Sequence, residues 1–267
     1  MKKIKIVTYN LGYGHFNEEY FHGKKLNRKT LAKNIREQIK ILKEIDADII
    51  LTQESNKLMV NNKLINLFRI QSKELSNYHG YYYSNLNVLN VINIGNATFT
   101  KEPTSSYPIV TPFKLNNWVQ NKFLENRGSI VTSITTEGKR LVVINIHFAA
   151  YEKNKKFREK QIGYIFERAL KERMLGNYVI IGGDFNHRFG VDESVIDGYE
   201  KLGWQLAVPK EGTHRSCKTK FDQDCKLSTI DGFICSDNII IKKIKSSLNF
   251  KASDHSPVIL EIELSEY

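Results

Sequence analysis

Several apolar runs of the chain end in the polar residue types that can bind cations and move protons. In VIIGGDFNHRF (179–189), an apolar run and two glycines lead directly into Asp184, Asn186 and His187. A short apolar run stopped by glycines predicts a buried strand, and α/β proteins place their chemistry at the carboxyl ends of strands. Taken alone, Gly-Asp-X-Asn is more typical of a turn held by local hydrogen bonds.

The same arrangement recurs at five other strand patterns. These patterns cover 4–12, 47–55, 140–148, 228–236 and 252–264, and their polar residues are Asn10, Gln53, Glu54, His147, Asp231, Asp254 and His255. Carboxylates bind hard cations and imidazoles transfer protons. Six such matches are too many for scattered surface residues, so we expect these side chains to converge in one site.

In their order along the chain, these motifs resemble those of the endonuclease/exonuclease/phosphatase superfamily. The motifs are Asn10, Gln53-Glu54, Asn145-x-His147, Gly183-Asp184-Phe185-Asn186, Asp231 and Ser253-Asp254-His255-Ser256-Pro257-Val258. The superfamily contains deoxyribonuclease I, AP endonucleases, deadenylases, inositol-polyphosphate phosphatases and bacterial neutral sphingomyelinases. The resemblance runs from about Lys2 to Leu264. It implies an α/β fold, a four-layer sandwich of two packed mixed β-sheets flanked by helices, with the site at one edge.

The motif residues also indicate which members of the superfamily the chain resembles most. AP endonucleases tend to carry a Tyr where this chain has His147, and an Asp where it has Gly12. The chain is therefore more similar to the deoxyribonuclease I, sphingomyelinase and deadenylase side, and abasic-site incision is disfavoured. It is most similar overall to uncharacterised bacterial members, for which the substrate does not follow from the resemblance.

Hydrolysis of a phosphate ester needs charge neutralisation at phosphorus, an activated water and help for the leaving oxygen. Glu54 is the expected principal ligand of a Mg²⁺ or Mn²⁺ ion, because hard cations prefer oxygen ligands. Asn10 is expected beside it as a neutral ligand or water orienter, and Asp254 as a second carboxylate ligand.

The remaining motif residues are expected to handle protons and the phosphoryl group. His255 is the expected general base, and Asp231 accepts its other ring N–H, which favours the charged imidazole and raises its pKa. Asp184 is expected to orient the attacking water or to share in proton transfer, and Asn186 to hydrogen-bond the phosphoryl oxygens. His147 protonates the leaving group or holds a phosphoryl oxygen as a cation, although a lone His in a strand is more often a core residue.

The length of 267 residues and the lack of a linker or a composition break predict a single domain over 1–267. Apolar residues at helical spacing predict helices over 28–45 and 157–174, and a further helix is expected over 57–76. Residues 80–145 read as strands and loops, which argues for two packed sheets with helices outside.

The formal charge of +11 suits a polyanionic substrate, although part of the Lys excess reflects a composition rich in Lys, Asn and Ile. The expected substrate is a phosphate ester, and DNA or RNA in the first place. The alternatives are a lipid headgroup, as in sphingomyelinases, and a small phosphate ester; 116–124 is the only apolar candidate for a membrane contact. A catalytically silent binding module is disfavoured because the motif residues are intact.

Arg127 and His187 are expected to bind substrate, with His214 and Arg215 as weaker candidates.

The amino terminus, MKKIKIVTYN, is too polar for a signal peptide, and no apolar stretch approaches the roughly 20 residues of a membrane span. We therefore expect a cytoplasmic monomer without stable membrane insertion. Cys217 and Cys225 could form a disulfide in an exported protein, but free thiols are the favoured interpretation.

Overall fold

The computed structural model describes residues 3–15, 27–59, 65–88, 92–112, 128–136, 138–150, 155–192, 197–216 and 225–264. The helices within these ranges are α1 (Arg28–Ile45), α2 (Leu67–Glu74), α3 (Lys155–Met174) and α4 (Asp197–Glu200), with a short 3-10 turn at Gly12–Gly14. The strands are β1 (Lys3–Asn10), β2 (Ile49–Met59), β3 (His79–Val88), β4 (Ile92–Thr100), β5 (Ser105–Ile109), β6 (Ser129–Thr136), β7 (Lys139–His147), β8 (Tyr178–Asp184), β9 (Gln205–Ala207), β10 (His214–Ser216), β11 (Lys226–Ser228), β12 (Asp231–Cys235), β13 (Ile239–Ser246) and β14 (Val258–Leu264).

These strands form two mixed six-stranded sheets and one hairpin. The first sheet has the order β13-β14-β1-β2-β4-β3, and the second has the order β5-β6-β7-β8-β12-β9. Each sheet has one parallel pair at its centre, β1 with β2 and β7 with β8, and the other pairings are antiparallel. β10 and β11 form the separate hairpin.

The two sheets pack face to face, and helices cover their outer faces. Strands of both sheets share one buried cluster, which includes Ile6, Leu51, Val143 and Ile180. The outer face of the first sheet packs against α1 and α2, and that of the second against α3. The arrangement is the four-layer α/β sandwich that the sequence predicts.

The helix boundaries agree with the sequence in two places and disagree in a third. α1 and α3 confirm the helices predicted over 28–45 and 157–174. The helix predicted over 57–76 is wrong for its first part, because β2 continues to Met59 in register with β4. Helix α2 begins only after Asn66, whose side chain accepts a hydrogen bond from the backbone N–H of Arg69 and so caps the helix.

The expectation of free thiols is wrong for Cys225, which is disulfide-bonded. Cys235 is a free and buried thiol, while Cys217 lies outside the described residues. Among the described helices, none combines the length and apolar character that crossing a membrane requires.

Candidate active site

The predicted residues meet where the central strands of both sheets end. Asn10 is the last residue of β1 and pairs with Gln53 of β2. In the second sheet, Asp184 at the end of β8 pairs with His147 of β7 on one side and with Asp231 of β12 on the other. Strand register therefore places three of the predicted side chains in one row.

The two glycines before Asp184 are required by close packing. A Cβ on Gly182 would lie 2.4 Å from the ring of Phe233, and a Cβ on Gly183 would lie 2.1 Å from the carbonyl oxygen of Ile146. Gly183 also has φ +148°, a conformation that L side chains rarely adopt. The glycines thus let β8 approach its neighbours closely enough for Asp184 to reach the site.

Asp184 is the centre of the contacts. Its Oδ2 accepts a hydrogen bond of 2.9 Å from Nδ2 of Asn10, and its Oδ1 accepts one of 2.8 Å from the backbone N–H of Asn186. The Nε2 atoms of His147 and His255 lie 3.5 Å and 3.8 Å from Oδ2. Two fixed donors therefore orient this carboxylate between two histidines.

His255 and Asp231 form the buried pair that the sequence predicts. Nδ1 of His255 lies 2.9 Å from Oδ2 of Asp231. Although burial disfavours a charged imidazole, the carboxylates of Asp231, Asp184 and Asp254 raise the pKa of His255 well above its ordinary value. Burial raises the pKa of Asp231 to about 6. The pairing with Asp231 therefore favours the charged form of the His255 imidazole.

Glu54 reaches the site through an irregularity in β2. Between Thr52 and Ser55 the strand carries one residue more than its partner β4, which is a β-bulge. Glu54 lies in this bulge with φ +52°, a strained conformation for a residue other than glycine. Its carboxylate lies 3.7 Å from Nε2 of His147. The bulge therefore turns a side chain toward the site that regular pairing would direct elsewhere.

The two amides are oriented by the backbone. Oδ1 of Asn10 accepts a hydrogen bond of 3.0 Å from the N–H of Gly12, so its Nδ2 faces Asp184. Asn10, expected as a neutral ligand or water orienter, thus donates a hydrogen bond to Asp184. Asn186 has φ +49° and donates from Nδ2 to the carbonyl of Phe148 at 2.9 Å.

Asp254 lies beside this cluster, and burial raises the pKa of its carboxyl group. Its Oδ2 lies 3.8 Å from Nε2 of His214. The neighbouring Ser253 donates from Oγ to the carbonyl of Asn10 at 2.8 Å, which ties the 253–256 segment to the end of β1.

Buried polar residues hold the site in place, and two of them, Asn34 and Gln38, are not among the residues that the sequence predicts for it. Gln53 donates from Nε2 to Oδ1 of Asn145 at 2.8 Å and so joins the two sheets. From helix α1, Asn34 and Gln38 donate to the carbonyl of Ala252 at 2.9 and 2.8 Å. The only signal for these two residues was a polar side chain within the otherwise apolar face of α1.

The residues expected to bind substrate have different outcomes. The structure places His187 in the interior of its loop, 5% exposed, beside the ring of Phe189 and 3.9 Å from Asp192. Arg127 and the segment 116–124 lie outside the described residues. His214 does lie at the site, with its ring centroid 4.7 Å from that of His255. Burial, with the charge of His255, lowers the pKa of His214 to about 3, so its imidazole is neutral.

A cleft of about 680 Å³ opens beside Asn186 and His214. Its walls carry the cationic side chains of Arg158, Arg188 and Lys226. One carboxylate, that of Asp192, also lines it and pairs with Arg188 at 2.6 Å. The cleft therefore offers an anion a cationic wall next to the cluster.

The profile of the Endonuclease/Exonuclease/phosphatase family 2 matches residues 7–205. The chain belongs to this family. Members of the endonuclease/exonuclease/phosphatase family are phosphoric ester hydrolases and often nucleases. The chain has no significant sequence match among curated proteins.

Several solved structures share the fold. An endonuclease/exonuclease/phosphatase family protein from Leptotrichia buccalis C-1013-b matches 98% of this chain and 100% of its own length, with a TM-score of 0.72 and 20% identity. Truncated Caenorhabditis elegans TDP2 has a TM-score of 0.67 and 17% identity, with 98% of each chain covered. The human Nocturnin catalytic domain has a TM-score of 0.67 and 16% identity, over 98% of this chain and 94% of that one.

The residues of this family member fit a hard divalent cation. The buried carboxylates of Asp184 and Asp231 lie in one group with His255, and the partly buried carboxylate of Asp254 lies in a second group with His255. Among the described residues, Oδ1 of Asp231 is buried with no hydrogen-bond partner. Such a concentration of buried negative charge is costly unless cations accompany it.

Proposed function

We propose that the protein is a divalent-metal-dependent phosphodiester hydrolase that acts on nucleic acid. The observation that carries the proposal is the unbroken series of contacts from Glu54 through His147, Asp184 and His255 to Asp231. It combines the anionic ligands, the oriented carboxylate and the cationic donor that phosphoryl transfer to water requires. Membership of the endonuclease/exonuclease/phosphatase family supports the same reaction type.

Glu54 is the proposed principal ligand of Mg²⁺ or Mn²⁺, with Asp254 as a second carboxylate. The bound ion would neutralise charge on the phosphoryl oxygens. Asn10 acts through Asp184, since its Nδ2 donates to that carboxylate.

Asp184 is the proposed group that orients and deprotonates the attacking water, because its carboxylate is held by donors on both oxygens. His255, charged through its pairing with Asp231, donates a hydrogen bond to a phosphoryl oxygen. Asn186 makes a further hydrogen bond to the phosphoryl group. His147 lies between Glu54 and Asp184 and is the proposed donor to the leaving oxygen.

The preference for nucleic acid is supported by charge. The chain has a formal charge of +11, and three cations line the cleft beside Asn186. A polynucleotide supplies phosphates on both sides of the scissile bond, so such a cleft can hold a neighbouring phosphate.

The direct test is hydrolysis of plasmid DNA, RNA, sphingomyelin and bis-p-nitrophenyl phosphate by the purified protein with Mg²⁺ and with EDTA. We expect cleavage of a polynucleotide that EDTA abolishes. Full activity in EDTA would contradict the metal dependence. Turnover of the lipid or the small ester without cleavage of nucleic acid at low salt would favour those substrates instead.

Salt dependence separates a polynucleotide from a small ester. Binding to duplex DNA releases condensed counterions, so log affinity falls with log salt at a slope of about −0.9 per phosphate contacted. Three contacts make binding about 40-fold weaker between about 50 and 200 mM salt. We expect kcat/KM on DNA to fall steeply over this range and kcat/KM on bis-p-nitrophenyl phosphate to stay nearly flat.

A further inference from the structure

His214, which the proposed mechanism does not use, is held against His255 by the backbone. The two residues form an antiparallel bridge. The N–H of Arg215 donates to the carbonyl of Asp254 at 2.8 Å, and the N–H of Ser256 donates to the carbonyl of Thr213 at 2.7 Å. These bonds fix the two imidazoles side by side.

Both histidines have Nδ1 engaged and Nε2 directed at carboxylates. Nδ1 of His255 contacts Asp231 at 2.9 Å, and Nδ1 of His214 lies 3.4 Å from Oγ of Ser228. Nε2 of His214 lies 3.8 Å from Asp254, and Nε2 of His255 lies 3.8 Å from Asp184. Metal-binding histidines have this arrangement, in which the second ring nitrogen is hydrogen-bonded and thereby orients the ring.

The spacing of the ligand atoms suits a small cation. The ligand atoms of His214, Asp254 and His255 all lie within 4.8 Å of one another. Zn–N and Zn–O bonds of about 2.0–2.2 Å place tetrahedral ligands about 3.4 Å apart, so modest side-chain adjustments would close the site. Two imidazoles and one carboxylate are a donor set for Zn²⁺ or Co²⁺, whereas Mg²⁺ prefers oxygen ligands.

We propose that His214, Asp254 and His255 form a second cation site, selective for Zn²⁺-like ions. It shares only Asp254 with the proposed Mg²⁺ ligands. An ion bound there displaces the proton from Nε2 of His255 into solvent and occupies Asp254. His255 then no longer donates to the phosphoryl group and Asp254 no longer holds Mg²⁺, so Zn²⁺ inhibits hydrolysis. The inhibition rests on the proposed function, but the binding does not.

Binding is tested with Co²⁺, whose visible absorption is strong when four ligands surround it tetrahedrally. Metal-free protein is titrated with Co²⁺ and then with competing Zn²⁺. We expect a strong absorption at one equivalent that Zn²⁺ abolishes. His214→Gln should weaken both affinities by at least about 10-fold, since loss of an outer-shell partner alone costs about 10–100-fold.

Two further variants complete the experiment. His79→Gln, at the exposed start of β3, should bind like the wild type. His79 pairs with Thr100 of β4, which in turn pairs with Ile49 at the start of β2, remote from Glu54. Ser228→Ala should bind more weakly than the wild type because it leaves His214 unoriented. Equal Zn²⁺ affinity in the wild type and His214→Gln, or only weak Co²⁺ absorption in the wild type, would overturn the site.

Inhibition is then measured as the Mg²⁺-supported rate against added Zn²⁺, with each variant normalised to its own zinc-free rate. We expect the wild type and His79→Gln to be inhibited at much lower Zn²⁺ than His214→Gln. A protein that binds Co²⁺ as described but cleaves no phosphodiester would refute the proposed function and leave the cation site standing. Tight Zn²⁺ binding with undiminished cleavage would refute the inhibitory role.

Discussion

The same strands build an apolar region and a polar region, and both are buried. Midway along β7 and β8, the inward side chains are Val143 and Ile180. His147 and Asp184 lie four residues further on and therefore on the same inward face of the sheet, where they are 4% and 1% exposed. In both regions every second side chain of a strand points inward. Midway along the strands these inward side chains are apolar, and at the strand ends they are polar or charged.

The two regions therefore fix structure in different ways. Apolar contacts in the sheet interior are nondirectional, and cores tolerate exchanges that preserve volume. At the strand ends, by contrast, polar atoms have particular partners, as Asn145 has in Gln53 and Asp184 has in Asn10. The interior should determine stability, and the strand ends should determine the positions of reacting groups.

The largest effect is expected for Glu54→Gln. Loss of the principal cation ligand should reduce kcat by about 10³-fold or more while the thermal unfolding temperature stays near the wild-type value. Glu44→Gln, on the exposed face of α1 beside Lys40, serves as the matched control and should retain activity. Equal activity of the two variants would remove Glu54 from the mechanism.

His147→Ala and His255→Ala should each lower kcat by about 10²–10⁴-fold, the usual contribution of one acid–base group. Steady-state rates on the preferred substrate measure the effect, with His79→Ala as control. If either variant kept wild-type turnover, that histidine would have only a packing role.

Asp231→Asn tests the charge on His255. Because Asp231 helps to raise the pKa of His255, its removal lowers that pKa. If the imidazolium is the active form, activity is lost as pH rises through this pKa, so the alkaline limb of the pH–rate profile should move to lower pH. Movement of the acidic limb instead would show that His255 is the general base that the sequence predicts. An unchanged profile would mean that Asp231 does not act through His255.

Asn145→Ala should mainly lower the free energy of unfolding, because Asn145 joins the two sheets and does not contact the reacting groups. It removes one of the two acceptors of the buried Gln53 amide and leaves only Oγ1 of Thr8, and buried unsatisfied groups cost about 1–3 kcal/mol each. We expect the free energy of unfolding, measured with denaturant, to fall by about 2–3 kcal/mol, together with a loss of kcat. Asn77→Ala, in the exposed turn before β3, should change stability by less than about 0.5 kcal/mol.

Ile180→Val is expected to have the smallest effect, and it tests the apolar interior between the sheets. Removal of one methylene from the sheet interior should cost about 0.5–1.5 kcal/mol of stability and leave kcat near the wild-type value. A large fall in kcat would show that the interior and the strand ends are not separable in this way.

The apolar runs in the sequences of β1, β7 and β8 made these buried strands predictable. The polar residues at the ends of the runs made the site predictable. The features that the sequence did not reveal depend on partners distant in the chain. Pairing with β4 extends β2 to Met59 and creates the bulge at Glu54. Asn34 and Gln38 are buried because α1 packs against the loop at Ala252, a contact between segments more than 200 residues apart.

The conformation of Glu54 has a consequence for protein engineering. Its left-handed backbone, at φ +52°, holds strain of about 1–3 kcal/mol, which a glycine at this position would relieve. A design procedure that rewards ideal strand geometry would therefore select Glu54→Gly, or delete one residue to regularise β2. Either choice would give a more heat-resistant protein without its principal cation ligand, so improvements in thermostability should be sought away from this bulge.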